Sequence, residues 1–173
     1  MAIISEFGVI CDAEVLAHTA ESTNNKEGSS IDLTKVAPGD IGSGEPIYFE
    51  AVVNADIKLA NGASDGTFTI RLVTDDDESF DGNSDVLAFA KFVTKAGDAL
   101  AADRTLTKGT KLISYALGQE GVAYKRYLGV LTDVGTTALT QGADAGKIDA
   151  YLTRYPNKIK AYADGAPAVP PEA

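Results

Sequence analysis

The stretch Gly66-Thr67-Phe68-Thr69-Ile70-Arg71-Leu72-Val73-Thr74 sets the fold class. Phe68, Ile70 and Leu72 alternate with Thr67, Thr69 and Arg71. A period of two puts the apolar set on one face and the polar set on the other, as in a half-buried antiparallel strand. The same grammar recurs on both sides of it. Ile47 to Val53, Val86 to Val93, Thr110 to Leu117, Lys125 to Thr132 and Lys147 to Thr153 are rich in branched and aromatic residues and read as strands. Weaker strand signals lie at Phe7 to Ile10 and Ala55 to Leu59. Turn signals separate them: Ala60-Asn61-Gly62, Asp81-Gly82-Asn83, Lys95-Ala96-Gly97-Asp98 and Gln141-Gly142-Ala143-Asp144. Seven or eight short strands with polar loops predict an all-β sandwich or jelly roll.

Three segments depart from this pattern. Cys11 to Glu21 is the best helical candidate, with Val15 and Leu16 as its apolar pair. Ser22 to Glu45 is rich in Asn, Ser and Gly and reads as an irregular arm, residues 22–46, before the first strong strand. The end of the chain, with Pro167, Pro170 and Pro171, suits neither a helix nor a central strand. Residues 1–155 then form a single β-sandwich domain and 156–173 an extended tail.

The 173 residues fit one domain, and 45% apolar content is ordinary for a packed core. Twenty-five acidic and 15 basic residues give a net charge of −10, which disfavours phosphate backbones and anionic membranes. No partner among nucleic acids or membranes is therefore expected. The first residues lack a cationic region and read as no signal peptide, so synthesis in the cytoplasm is expected. One cysteine, Cys11, cannot form an intramolecular disulfide, and one histidine, His18, cannot supply a two-histidine metal site.

The most site-like feature is acidic. From Asp77 the sequence runs D-x-S-x-D-G-x-x-D, placing Asp77, Ser79, Asp81 and Asp85 where a calcium loop has its ligands, with Gly82 at the sharp turn. Ala88 stands where the bidentate carboxylate belongs, and the flanks read as strands. A solvated hairpin tip is the favoured reading, and no metal or cofactor is expected. Gly39-Asp40-Ile41-Gly42-Ser43-Gly44 lacks the order and the lysine of a phosphate loop. His18, with Asp12 and Glu14 nearby in sequence, has no nucleophile motif beside it. The absence of tryptophan counts against a sugar-cleaving cleft. A non-enzymatic protein is expected.

Ser22-Thr23, Ile31-Asp32-Leu33, and then Gly39-Asp40-Ile41-Gly42-Ser43-Gly44-Glu45-Pro46-Ile47 resemble the capsid cement proteins of short-tailed phages of the Bordetella-phage type. Ile70-Arg71-Leu72-Val73-Thr74 followed by acids, and Lys125-Arg126-Tyr127-Leu128, extend the likeness over roughly residues 8 to 154. The resemblance implies a jelly-roll sandwich that forms homodimers on the outer capsid surface, partnered by the major capsid protein, with no catalysis and no cofactor. The contact residues expected from the arm and tail are Ser22, Thr23, Ile31, Asp32, Leu33, Asp40, Ile41, Pro167 and Pro170. The alternative is a calcium-dependent carbohydrate-binding or host-adhesion β-sandwich of a virion, which would use the acidic loop.

Overall fold

The computed structural model describes residues 8–16, 22–35, 47–59, 66–94, 104–117, 123–135 and 146–153. These form ten strands: β1 (Val9–Val15), β2 (Ser22–Asp32), β3 (Tyr48–Ala55), β4 (Ile57–Leu59), β5 (Gly66–Asp75), β6 (Asp85–Thr94), β7 (Arg104–Leu106), β8 (Lys111–Ala116), β9 (Tyr127–Val134) and β10 (Lys147–Thr153). Two four-stranded antiparallel sheets have the orders β1-β10-β3-β8 and β2-β9-β5-β6. Apart from the β5–β6 hairpin, the chain repeatedly leaves one sheet for the other. This is the jelly-roll wiring of two interlocked Greek keys. A small ladder of β4 with β7 is added to it.

The alternation in β5 does what the sequence requires. Phe68, Ile70 and Leu72 are fully buried between the sheets. They meet Phe49, Ala51 and Val53 of β3, Ile148 and Ala150 of β10, and Leu128 and Val130 of β9 in one continuous core. Phe68 and Phe92 stack with ring centroids 6.3 Å apart. Each large side chain so buried contributes about 1.5–3 kcal/mol.

Two expectations are corrected. The helix proposed from Cys11 is instead strand β1 as far as Val15, and residues 17–21 lie outside the described set. The arm expected over 22–46 is, from Ser22 to Asp32, the 11-residue strand β2, paired with β9. Bulges hid both strands by breaking the period of two. In β1, Cys11 opposes Ala150 and Glu14 opposes Ile148, so three steps face two. In β2, Ser22 opposes Val134 and Asn25 opposes Thr132; further on, Glu27 opposes Val130 and Ile31 opposes Leu128, so four steps face two. Ala13, Asn24 and Gly28, at φ 50°, 55° and 62°, mark these three irregularities, and a further shift in β1 lies between Val9 and Cys11. Strand β7 has no forerunner in the sequence reading, because three residues are too few to show a period.

One bulge of each strand is held by an aspartate of the neighbouring strand. The Ala13 N–H donates to Asp149 Oδ1 at 2.7 Å, and the Asn54 amide donates to both oxygens of Asp149 at 3.0 and 2.8 Å. In the other sheet the Asn24 N–H donates to Asp133 Oδ1 at 2.7 Å. Arg71 Nη2 donates to that oxygen at 2.7 Å and to Asn24 Oδ1 at 2.8 Å. Bulged residues lose their ladder partners, and here a carboxylate replaces them. Asp149→Ala is expected to lower stability by about 1–3 kcal/mol, read as a fall in the urea midpoint at constant m-value.

Candidate interaction surface

The acidic stretch after β5 is a folded loop, built from its own side chains. Asp75 closes it. Asp75 Oδ2 accepts the Ser84 hydroxyl at 2.6 Å and Oδ1 accepts the Asp77 N–H at 3.1 Å. Inside it, Asp77 Oδ1 accepts both the N–H and the hydroxyl of Ser79 at 2.9 Å. These hydrogen bonds, from Ser84 to Asp75 and from the Ser79 backbone to Asp77, hold both carboxyls below their usual pKa.

Phe80, at φ 56° and 2% exposed, turns the loop back onto the outer face of the β2-β9-β5-β6 sheet. There it packs with Val73, Leu131 and Tyr127. Gly129 makes room for it: a Cβ at that position would come within 2.5 Å of the Phe80 ring. Lys26 Nζ lies 5.6 Å from the ring centroid and 3.7 Å from Glu78. Ser30 donates to Glu78 at 2.9 Å, while Lys125 pairs with Asp85 at 3.2 Å and donates to the Asn83 carbonyl.

Of the four calcium-loop positions, Asp77 and Ser79 are therefore bonded to each other, Asp85 faces a lysine, and Asp81 is exposed. No group of three His, Cys, Asp or Glu side chains converges among the described residues. Melting curves in millimolar calcium and in chelator are expected to superimpose. A calcium-induced rise abolished by Asp77→Ala with Asp81→Ala would contradict that expectation.

The residues expected to touch a capsid have varied fates. Thr23 is exposed on β2, and Ser22 opens that strand opposite Val134. Ile31 is 5% exposed and belongs to the core, because β2 is a strand and Ile31 falls on its inner face. It is removed from the contact set. Leu33 also packs against the core, its N–H donating to the Arg126 carbonyl at 2.8 Å. Asp32 caps the end of β2. It accepts the Thr34 N–H at 3.0 Å, the Thr34 hydroxyl at 2.6 Å and Arg126 Nη2 at 3.0 Å. The Arg126 and Thr34 hydrogen bonds hold its carboxyl well below the usual carboxylate range. The same guanidinium lies 4.9 Å from the Tyr127 ring. Asp40, Ile41, Pro167 and Pro170 lie outside the described residues, as does His18.

Other polar groups are likewise spent on the scaffold. Glu50, 1% exposed on β3, meets Lys111 at 2.7 Å and accepts the Ser114 hydroxyl at 2.5 Å. Burial, with the Glu50 and Asp149 charges added, pushes the neighbouring Tyr151 phenol up to about 12. On the inner side, the Thr132 hydroxyl donates to buried Glu27. Burial first, then the Glu27 charge, pushes the Cys11 thiol upward, which keeps it protonated and unreactive. Thr74 accepts the Lys125 N–H at 2.9 Å and donates to the Tyr127 carbonyl at 3.0 Å, fixing the entry into β9.

The sequence reading placed a strand at Val86 to Val93 but passed over the apolar outer face of this strand, β6. Val86, Phe89 and Val93 are 48%, 68% and 40% exposed, three of the four large apolar side chains so exposed among the described residues. Its other face, with Ala88, Ala90 and Phe92, packs on the core. Apolar residues on both faces, where β5 alternates cleanly, are the signal that was there to be found.

The chain matches no curated protein. A family model, Bbp16, matches residues 10–152, from β1 to the penultimate residue of β10. The family's name points to a Bordetella-phage protein. A match spanning both sheets and nearly every described strand settles the relationship, and the chain belongs to the Bbp16 family.

Proposed function

We propose that this chain is a structural protein of a phage virion, a capsid cement protein that binds the outside of the shell and braces neighbouring major capsid subunits. In this reading it is not an enzyme. It acts as a homodimer, whose two-fold symmetry lets each copy grip an equivalent shell subunit. Two linked contacts raise the effective concentration of each other, so each single contact can be weak.

The observation that carries the reading is the family match along a jelly roll whose carboxylates Asp149, Asp133, Asp75 and Glu50 are engaged in holding strands and loops. Asp149, Asp133, Asp75 and Glu50 each have structural partners. A rigid body with broad faces suits adhesion to a lattice. The net charge of −10 suits a position away from packaged DNA.

The test is co-sedimentation with undecorated shells built from the major capsid protein of the same phage. Saturable binding at a fixed number of copies per shell, with raised shell melting temperature, is expected. Absence of binding to expanded shells at micromolar concentration overturns the reading.

A further inference from the structure

The segment from Asp76 to Ser84 is fastened to the sandwich at one apolar point. Phe80 is buried, Ser84 is half-buried, and every other residue of the segment is exposed. The Phe80 ring packs with Val73, Leu131 and Tyr127 in a cluster separate from the core between the sheets. Among the described residues no main-chain hydrogen bond ties the segment to a strand. The bond from the Phe80 N–H to the Asp77 carbonyl, at 3.3 Å, stays inside it. The other ties run through side chains: Glu78 with Lys26 and Ser30, Asp75 with Ser84 and the Asp77 N–H, and Lys125 with the Asn83 carbonyl.

Two features oppose this closed position. Phe80 holds a φ of 56°, a left-handed value that a residue with a side chain adopts at a cost. Asp76, Asp77, Glu78 and Asp81 fall within the nine residues, and the segment holds no Lys or Arg. Opening relieves both the strained backbone and the mutual repulsion of the carboxylates. Against them stand the burial of a single ring and its few polar ties. The notch that receives the ring does not depend on the ring. Strand β9 pairs with β5 in unbroken register from Tyr127 to Val134, and Gly129 leaves the space. The three atoms nearest to a Cβ at position 129 all belong to the Phe80 ring, at 2.5, 2.7 and 3.2 Å.

We propose that residues 76–84 form a lid: Phe80 leaves the Gly129 notch and returns to it while both sheets stay folded. Closed, the lid masks the apolar patch of Val73, Leu131 and Tyr127; open, it uncovers that patch. Such openings draw on the least stable parts of a fold, and a segment with one buried side chain and no main-chain bond to the sheet is one of these. The device is built into the β5–β6 connection and does not depend on what the protein adheres to.

Hydrogen exchange of the full-length chain in low urea reads the opening directly. The Asp77, Ser79 and Phe80 amides should exchange through an opening that is nearly insensitive to urea. It should occur at least a hundredfold more often than the opening that exposes the Ile70 and Val130 amides. Gly129→Ala fills the notch and leaves the ring intact. Proteolysis within residues 76–84 should then speed up about tenfold or more, and a neutral apolar dye should gain fluorescence. Adding Gly129→Ala to Phe80→Ala should cause no further loss of stability, because the notch has no occupant left to displace. Exchange of the Phe80 amide through global unfolding alone overturns the inference. So does a Gly129→Ala variant whose loop stays protected or whose dye fluorescence is unchanged. Additive losses in the double variant overturn it too, by showing that the two residues support the sandwich itself.

Discussion

Gly28→Val is expected to cost about 4 kcal/mol or more, enough to remove most of the soluble protein at 37 °C. Two penalties coincide at this position. Its φ of +62° is one that a β-branched residue adopts only under strain. Its missing Cβ would lie 2.2 Å from the Ile10 carbonyl oxygen and 3.1 Å from Cys11 Sγ. The first contact is with backbone, so a rotamer change cannot relieve it; β1 would have to move away from β2. That movement opens the side of the sandwich where the two sheets meet at β1 and β2, and exposes Ile10 and Cys11, which are 3% and 1% exposed. The total stability of a domain this size is about 5–15 kcal/mol, so such a loss is disabling. Soluble yield and the urea midpoint measure it. Ser29→Val, at an exposed neighbour, serves as the control, with a change within about 0.5 kcal/mol. Equal stability of the two variants would contradict the argument.

The second large effect is at Phe80. Phe80→Ala is expected to destabilise by about 3 kcal/mol, from lost apolar transfer and the cavity left over Gly129. The consequence reaches beyond the ring. Phe80 is the apolar anchor of a loop whose other ties are hydrogen bonds and exposed ion pairs. Exposed pairs of this kind contribute little by themselves. Without the ring, the segment from Asp76 to Ser84 should detach from the sheet while the two-sheet core persists. Limited proteolysis should then cut within residues 76–84 before any other described strand is lost. A variant that keeps its loop protected, with an unchanged melting temperature, would show that the polar ties suffice.

The all-β class and most strands were legible because β5 alternates and because β8, β9 and β10 are rich in branched and aromatic residues. Lys147 to Thr153 was read with the bounds that the structure gives it. Strand β2 was not legible, and β1 only at its start through the weak signal at Phe7 to Ile10, since each carries extra residues that flip its alternation partway along. The compensation is supplied by Asp149 and Asp133, more than a hundred residues away in sequence. No local reading of residues 9–32 contains that information. The acidic loop was recognised as a feature, but its purpose was hidden: Phe80, lodged among the ten polar or glycine residues of Asp75 to Asp85, read as part of a solvated tip. The candidate contact residues fared according to the strand they were denied. Ile31 is core and Asp32 is a cap, because β2 is sheet and not arm.

The strand order has a temporal meaning. β10 lies between β1 and β3, and β9 lies between β2 and β5. Until residues 127–153 leave the ribosome, each sheet is missing an interior member, and the earlier strands β1 and β2 have no ladder partner among the described residues. The nascent chain therefore waits, with most of its amides solvated, and then consolidates in one late step dominated by distant pairings, which is slow by the standards of small proteins. A ribosome stalled before residue 127 would hold a chain without its native architecture, and release of the last two strands would act as the trigger for folding.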